Sequence, residues 1–295
     1  MEIKVKEESQ RIDKFLTEET DYSRSTIQKM IESDFILVNN DKVKSNYKVK
    51  EGDIICISDE YKEESDIVPE EIPLDIVFED DDLMVINKAS GMVVHPGNGQ
   101  TSGTLVNALM GYTENLSDDD LRPGIVHRID KDTSGLMLVA KNNKTHELLS
   151  EGFKNKTITR EYIALLQGEM STETATIDAP IGRDSHDRKK MSITEKNSKE
   201  AVTHLTVIKK YKDFTLVRLK LDTGRTHQIR VHMKYIGFPV HNDPVYSKKV
   251  ANEFGQFLHS AKLTFIHPGN NKELIFEKEI PEEFNEFIST LEEID

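Results

Sequence analysis

Between Gly124 and Lys141 the chain reads Gly-Ile-Val-His-Arg-Ile-Asp-Lys-Asp-Thr-Ser-Gly-Leu-Met-Leu-Val-Ala-Lys. Polar and charged side chains (His127, Arg128, Asp130, Lys131, Asp132, Thr133, Ser134) crowd the first half, and an apolar run fills the second. Asp130 has Ile129 before it and Arg128 two positions back, a setting for a partly desolvated carboxylate beside a cation. Such a carboxylate can act as a nucleophile or a base. The same residues would also serve as a plain loop whose Asp and Ser side chains cap their own backbone. An ordinary glycosidase would want two carboxylates flanking the bond, for which Asp132 is the neighbour at hand.

Metal chemistry finds no support in the spacing. There is no His-Glu-x-x-His and no Cys-x-x-Cys, and His227 and His232 stand five apart rather than the four that stacks ligands on one helical face. Neither a metal site nor a cofactor is expected.

The elements that must carry these residues follow from periodicity. Leu136–Ala140, apolar throughout after Gly135, predicts a buried strand, so the Asp130 loop hangs on the end of a rigid element. Leu83–Ile86, Thr157–Leu166, Ala201–Val207, Phe214–Leu221, Phe257–Phe265 and Glu273–Glu279 also read as strands. Lys144–Phe153 has helical spacing, and a last amphipathic helix closes the chain. In Asp222–Gly237, Thr226 is placed to cap a helix whose Ile229, Met233 and Ile236 share one face. Many strands with interspersed helices predict an α+β domain with a mixed, largely antiparallel sheet.

Residues 11–58 read as a separate small module. Ile12, Phe15 and Leu16 form one helical face, and Ile27, Met30 and Ile31 another, with Ser25 and Gln28 at capping-box spacing. Phe35–Val38 and the turn-forming Asn39-Asn-Asp41 then give a β-ribbon. Arg11, Arg24, Lys29, Lys42, Lys44 and Lys48 could line one face for nucleic acid, or be ordinary solvated charges. The following acidic stretch, with Pro69 and Pro73, has the composition of a mobile tether. The expected organisation is a module over 1–60, a linker over 61–75 and a large domain over 76–295.

A formal net charge of −14 argues against a polyanion as partner, but the acidity is local. Residues 59–82 carry −11 and residues 271–295 carry −7, whereas 83–270 carry +6. The lone cysteine, Cys56, excludes a disulfide framework, sits among apolar neighbours as a small buried hydrophobe would, and suits a reducing, cytoplasmic setting. The start of the chain has no apolar run of a signal peptide, and no window is long and apolar enough to span a membrane. The Gly- and Ser-rich 97–103 matches neither nucleotide-binding glycine pattern, and Asp187-Arg-Lys-Lys190 is a basic loop that could touch a nucleic-acid backbone or simply be solvated.

His-Arg-Ile-Asp-Lys-Asp-Thr-Ser-Gly resembles the motif of the RluA-type RNA pseudouridine synthases, with Ile129 where that family usually has Leu, one branched aliphatic for another. Further motifs recur in order along nearly the whole chain. Residues 11–58 resemble the S4 RNA-binding domain, and with that module included the resemblance is to the RluD type, which acts on large-subunit ribosomal RNA. The resemblance implies isomerisation of uridine to pseudouridine, with Asp130 as the catalytic carboxylate. It places Arg230 as the arginine that keeps Asp130 ionised, with Arg225 as second choice, and Tyr162 as the aromatic surface for the extruded base. Without it, Arg230 would read as a surface helix charge and Tyr162 as sheet packing. It gives Arg128 the gap left by the flipped base, or its phosphate, and turns the Ser23-Arg24-Ser25 helix start towards the RNA backbone, with Arg11 and Lys29 nearby. The expected partner is structured ribosomal RNA, free or in large-subunit assembly intermediates, with the protein a monomer. Two rivals stand beside this: a catalytically silent RNA-binding protein, and an N-glycosidase or nucleoside hydrolase that would free base or sugar.

Overall fold

The computed structural model describes residues 1–6, 10–20, 22, 24–58, 67–97, 100–118, 122–187, 190–247 and 254–294, with the side chain of Ser25 excepted. Ser23, the first half of the acidic linker, and Arg188 and Lys189 of the basic loop therefore lie outside the described residues. The chain divides into two units, Met1–Ser65 and Asp66–Asp295.

The first unit lays two helices, α1 (Ile12–Glu19) and α2 (Arg24–Glu32), on a small sheet. Its strands are β1 (Glu2–Lys4), β2 (Ile36–Val38), β3 (Asp41–Lys42) and β4 (Ile54–Ile57), in the order β1-β4-β2-β3 and antiparallel throughout. The expected ribbon is thus widened by the N-terminal strand. Asn39 and Asn40, both at positive φ, make the two-residue turn that joins β2 to β3, the conformation a tight hairpin needs. Ile12, Leu16, Ile27 and Met30 are fully buried, so the two apolar stripes meet as their spacing requires. Each such side chain contributes about 1.5–3 kcal/mol of transfer free energy. Two expectations shift. Gln28 turns its amide to Asp13 at 2.8 Å, and Cys56 is half-buried because strand alternation hides Ile55 and Ile57 instead.

The second unit is built on a nine-stranded sheet. In chain order its strands and helices are β5 (Ile76–Glu79), β6 (Leu83–Lys88), α3 (Leu105–Tyr112), β7 (Ser134–Ala140), α4 (Asn143–Lys154), β8 (Thr159–Gln167) and β9 (Thr174–Asp178). Then follow β10 (Ile181–Arg183), β11 (Met191–Ile193), β12 (Val202–Tyr211), β13 (Phe214–Leu221), α5 (Gln228–Tyr235), β14 (Leu258–Ile266), β15 (Glu273–Glu277) and α6 (Glu282–Ser289). The sheet runs β5-β6-β7-β14-β8-β13-β12-β9, with β15 also on β14 and β10 and β11 forming a separate hairpin. All its pairings are antiparallel except β7 with β14.

Strand β7 explains its own composition. Met137 and Val139 enter one core, Leu136, Leu138 and Ala140 the other, so a strand covered on both faces has no polar side chain beyond its first residue, Ser134. Gly135 has φ near 110°, and a Cβ there would sit 2.3 Å from the Ser260 carbonyl oxygen. The motif's closing glycine is therefore what lets β14 pair in parallel right beside the Asp130 loop.

Residues 67–75, expected within a mobile tether, belong to the second unit. Ile67 is buried in its core, the Glu70 N–H donates to the Asn107 carbonyl, and the Asn107 amide donates to the Val68 carbonyl. Composition alone read the acids and prolines and missed this single apolar anchor.

Candidate active site

Asp130 sits at the end of a loop tied down from several sides. Its own carbonyl accepts from the Thr133 N–H, and the Thr133 hydroxyl accepts from the Gln256 amide at 2.9 Å. Lys88, 2 % exposed at the end of β6, donates to the carbonyls of Ala89, Met92 and Lys131 at 2.7, 2.8 and 2.9 Å. Burial pulls its amine down to about 7, against the pull of Asp132 and Asp130. Ser90 Oγ contacts the carbonyls of Asp132 and Phe254. Sequence reading passed over Lys88; the signal available was a lysine two residues past the unbroken apolar run Leu83–Ile86.

Arg230, in the first turn of α5, meets Asp130 a hundred residues away in sequence. Its NH1 donates to Asp130 Oδ2 at 2.9 Å, while Nε and NH2 grip Asp243 at 2.7 and 2.8 Å. Arg230 is 4 % exposed and Asp243 not at all. Burial opposes the guanidinium's charge, but Asp243 and Asp130 together hold its pKa above the ordinary value. Asp243 is itself fixed, accepting from the Val245 and Tyr246 N–H groups, and the Tyr246 ring lies 5.1 Å under the guanidinium. This grip leaves the second Asp130 oxygen without a hydrogen bond among the described residues, and His227 Nε2 stands 4.0 Å from Oδ1. Burial lowers the His227 pKa, which favours the neutral ring.

Helix α5 begins one residue later than expected. His227, at φ 57°, occupies the cap position and makes no side-chain capping bond, so Thr226 is not the cap. The buried Gln228 amide organises the turn instead: its oxygen accepts from the Arg225 N–H and the Thr223 hydroxyl, and its nitrogen donates to the Val202 carbonyl. A hydrogen bond that reaches back from inside the helix competes with a Thr cap in front of it.

A pocket collects these groups, lined by Arg128, Ile129, Asp130, Arg160, Tyr162, Leu221, Arg225, His227, Arg230 and Leu258 among others. Asp130 is the carboxylate in that lining among the described residues; Asp132 is not part of it. Tyr162 is 4 % exposed, paired across the sheet with Ser260, and burial raises its pKa. Arg128 is exposed at the rim with NH1 3.3 Å from His95 Nε2. Arg225 donates from Nε to the Glu200 carbonyl at 2.9 Å rather than reaching Asp130. Arg230, Tyr162, Arg128 and Arg225 thus gather around Asp130.

In the first unit, Arg11 and Arg24 both bond Asp13, which is fully buried on α1 and held down to about 2; burial works the other way, but the bonds from Gln28, Arg11 and Arg24 prevail. Lys29 lies half-buried on α2.

Asp80, Asp82 and His267 bring ligand atoms within 4.8 Å of one another. Each is already engaged: His267 Nδ1 accepts from the Gly269 and Asn270 N–H groups, leaving Nε2–H to donate to Asp80 at 2.7 Å, while Asp82 Oδ1 accepts from the Asn142 amide and the Thr145 hydroxyl. Asp80 and His267 clasp the β5–β6 turn to the end of β14.

The chain belongs to the RNA pseudouridylate synthase family, a class of RNA-modifying isomerases, whose model matches residues 82–235. An S4 domain matches residues 10–55. The chain is 49 % identical over 289 residues to the uncharacterized RNA pseudouridine synthase YlyB of Bacillus subtilis, covering 97 % of this chain and 95 % of that protein. It is 41 % identical over 300 residues to the ribosomal large subunit pseudouridine synthase D of Escherichia coli K12, covering 96 % and 90 %. Among solved structures, human RNA pseudouridylate synthase domain containing 1 superposes with a TM-score of 0.63 at 26 % identity, over 76 % of this chain and 90 % of that one. No helix of the described residues is long and apolar enough to cross a membrane.

Proposed function

We propose that this enzyme converts specific uridines of large-subunit ribosomal RNA to pseudouridine, with Asp130 acting at the sugar. The observation that carries the reading is the asymmetry of Asp130: Oδ2 is held by Arg230 while Oδ1 faces the pocket without a hydrogen-bond donor among the described residues. A carboxylate with one oxygen free can attack C1′ or remove a sugar proton. A base stacked in RNA must first leave its helix before its glycosidic bond can reach Asp130. Tyr162 then offers the stacking surface, and Arg128 at the rim takes the vacated place or the adjoining phosphate.

The ribosomal target is supported by the name of the Escherichia coli relative and by the S4 domain. In this reading residues 1–60 anchor structured RNA through Arg11, Ser23, Arg24, Ser25 and Lys29, while 76–295 do the chemistry, as a monomer in the cytoplasm, on free RNA or on assembly intermediates. One carboxylate in the pocket lining, rather than a flanking pair, speaks against the glycosidase rival.

The test is tritium release from C5-labelled uridine in ribosomal RNA. Wild-type protein is expected to release label at defined positions and Asp130→Asn to lose release while still binding RNA. Free uracil as the product, or substantial release by the variant, contradicts the reading. Deleting residues 1–58 is expected to weaken RNA affinity more than it slows the chemical step.

A further inference from the structure

Of the arginines in the pocket lining, Arg230 is neutralised by two carboxylates, Arg225 is bonded to a carbonyl, and Arg128 is exposed at the rim. Arg160, on β8, is different. It is 7 % exposed, its Nε has no hydrogen-bond partner, and no carboxylate among the described residues lies within 4.0 Å of it. Its guanidinium carbon stands 5.0 Å from the centroid of the Phe153 ring, which also packs on His127. Burial, with the Arg160 charge beside it, holds His127 neutral, at about 3.

The surroundings admit the guanidinium without satisfying it. A Cβ on Gly224 would lie 2.7 Å from Arg160 NH1, so the backbone after β13 closely borders the guanidinium. Arg160 and Tyr162 are two apart on one strand and face the same side. Ile129, Leu221 and Leu258 supply apolar wall for a planar base. A buried guanidinium with no counter-charge is unfavourable in the free protein, so its natural complement is an anion that arrives with, or develops on, the substrate.

We propose that Arg160 is a base-binding catalytic residue, donating to the carbonyl edge of the extruded uracil and stabilising the negative charge the base acquires as it leaves the sugar. This rests on the uridine reading of the pocket. When N1–C1′ breaks, both electrons depart with the base, and the charge spreads over N1, O2 and O4. After the base turns, C5–C1′ forms from the base's electron pair, the C5 proton goes to solvent and N1 takes one up, giving a neutral isomer. Asp130 serves the sugar in this sequence and Arg160 the base. A contact that strengthens as charge develops speeds the chemical step and leaves ground-state binding little changed.

The experiment compares wild type with Arg160→Met and Arg160→Gln in single-turnover reactions on RNA carrying uridine or 5-fluorouridine at the target. Fluorine stabilises the departing base anion and so reduces the need for the cation. Both neutral variants are expected to slow N1–C1′ cleavage on uridine about 100-fold or more, with RNA affinity within threefold of wild type. The deficit is expected to shrink about tenfold on 5-fluorouridine, and the melting temperature to hold or rise because an uncompensated charge has gone. An equal deficit on both bases overturns the proposal. So does lost affinity with a retained rate, which would make Arg160 a phosphate contact. If the Met variant does not fold, the Gln variant carries the comparison; failure of both to fold assigns Arg160 to the core and also overturns it. Wild-type protein that leaves uridine unchanged removes the parent reading instead, whatever Arg160 does.

Discussion

Each unit buries a carboxylate against arginine, and the two sites differ in what remains unsatisfied. Asp13 accepts from Arg11 Nε on one oxygen, and from Arg11 NH2, both Arg24 donors and Gln28 on the other, at 2.8–3.1 Å. Nothing is left for a substrate, and the arrangement ties α1 to α2. Asp130 has one oxygen held and the other open, 18 % of the side chain is exposed, and the arginine that holds it is locked from behind by Asp243. The same ion-pair chemistry builds a structural pin in one place and a reactive group in the other. Spare hydrogen-bonding capacity facing a pocket, rather than burial or an ionic partner, separates the two.

Disturbing the support of each acid sharpens that contrast. Asp243→Asn strips Arg230 of its locked counter-charge and should have the largest effect among these supporting residues: about 3 kcal/mol of stability lost in the second unit and a roughly 100-fold slower first turnover. Thermal melting alongside single-turnover kinetics checks both. Lys88→Met leaves three carbonyls beside the Asp130 loop without their donor. About 2 kcal/mol of stability and roughly tenfold in rate should go, with RNA affinity, read in a binding titration, unchanged. Asp13→Asn should weaken the first unit by about 2 kcal/mol while the first-turnover rate at saturating RNA stays as in wild type. Acid makes the same point. Because folding lowers the Asp13 pKa from 3.8 to about 2, its contribution is complete above pH 4 and disappears as the pH falls through 2. Circular dichroism of the Asp13→Asn variant should therefore show a smaller loss of first-unit stability over that window than wild type does.

The reactive half of this comparison was more legible in the sequence than its supports. The loop ending at Gly135 and the unbroken apolar run after it predict a rigid strand carrying Asp130, and β7 is that strand. Helices α1, α2, α4 and α5 lie where their stripes put them, because apolar spacing along a chain reports which face will be covered. Arg230 and Tyr162 were placed by resemblance, since nothing local distinguishes them from a surface charge and a packed tyrosine. Asp243, Lys88, Arg160 and Asp13 went unmarked. Asp243 follows Asn242 and precedes Pro244 in what reads as a simple turn, and its partner is thirteen residues back on a helix. Such pairings are made by tertiary packing, which no local period encodes. The anchoring Ile67 within an acidic run was hidden for the opposite reason: average composition outweighed one buried side chain.

Side-by-side single-turnover pseudouridine formation by Asp130→Asn and Asp13→Asn, each with its RNA affinity measured, bears most directly on this account. Asp130→Asn should fall by at least roughly 10⁴-fold while binding RNA and melting as wild type does, because Arg230 keeps Asp243. Asp13→Asn should turn over normally once RNA is saturating. A loss far smaller than this in the Asp130 variant, or an equal loss from the Asp13 variant, would contradict the claim that the open oxygen is the reactive one.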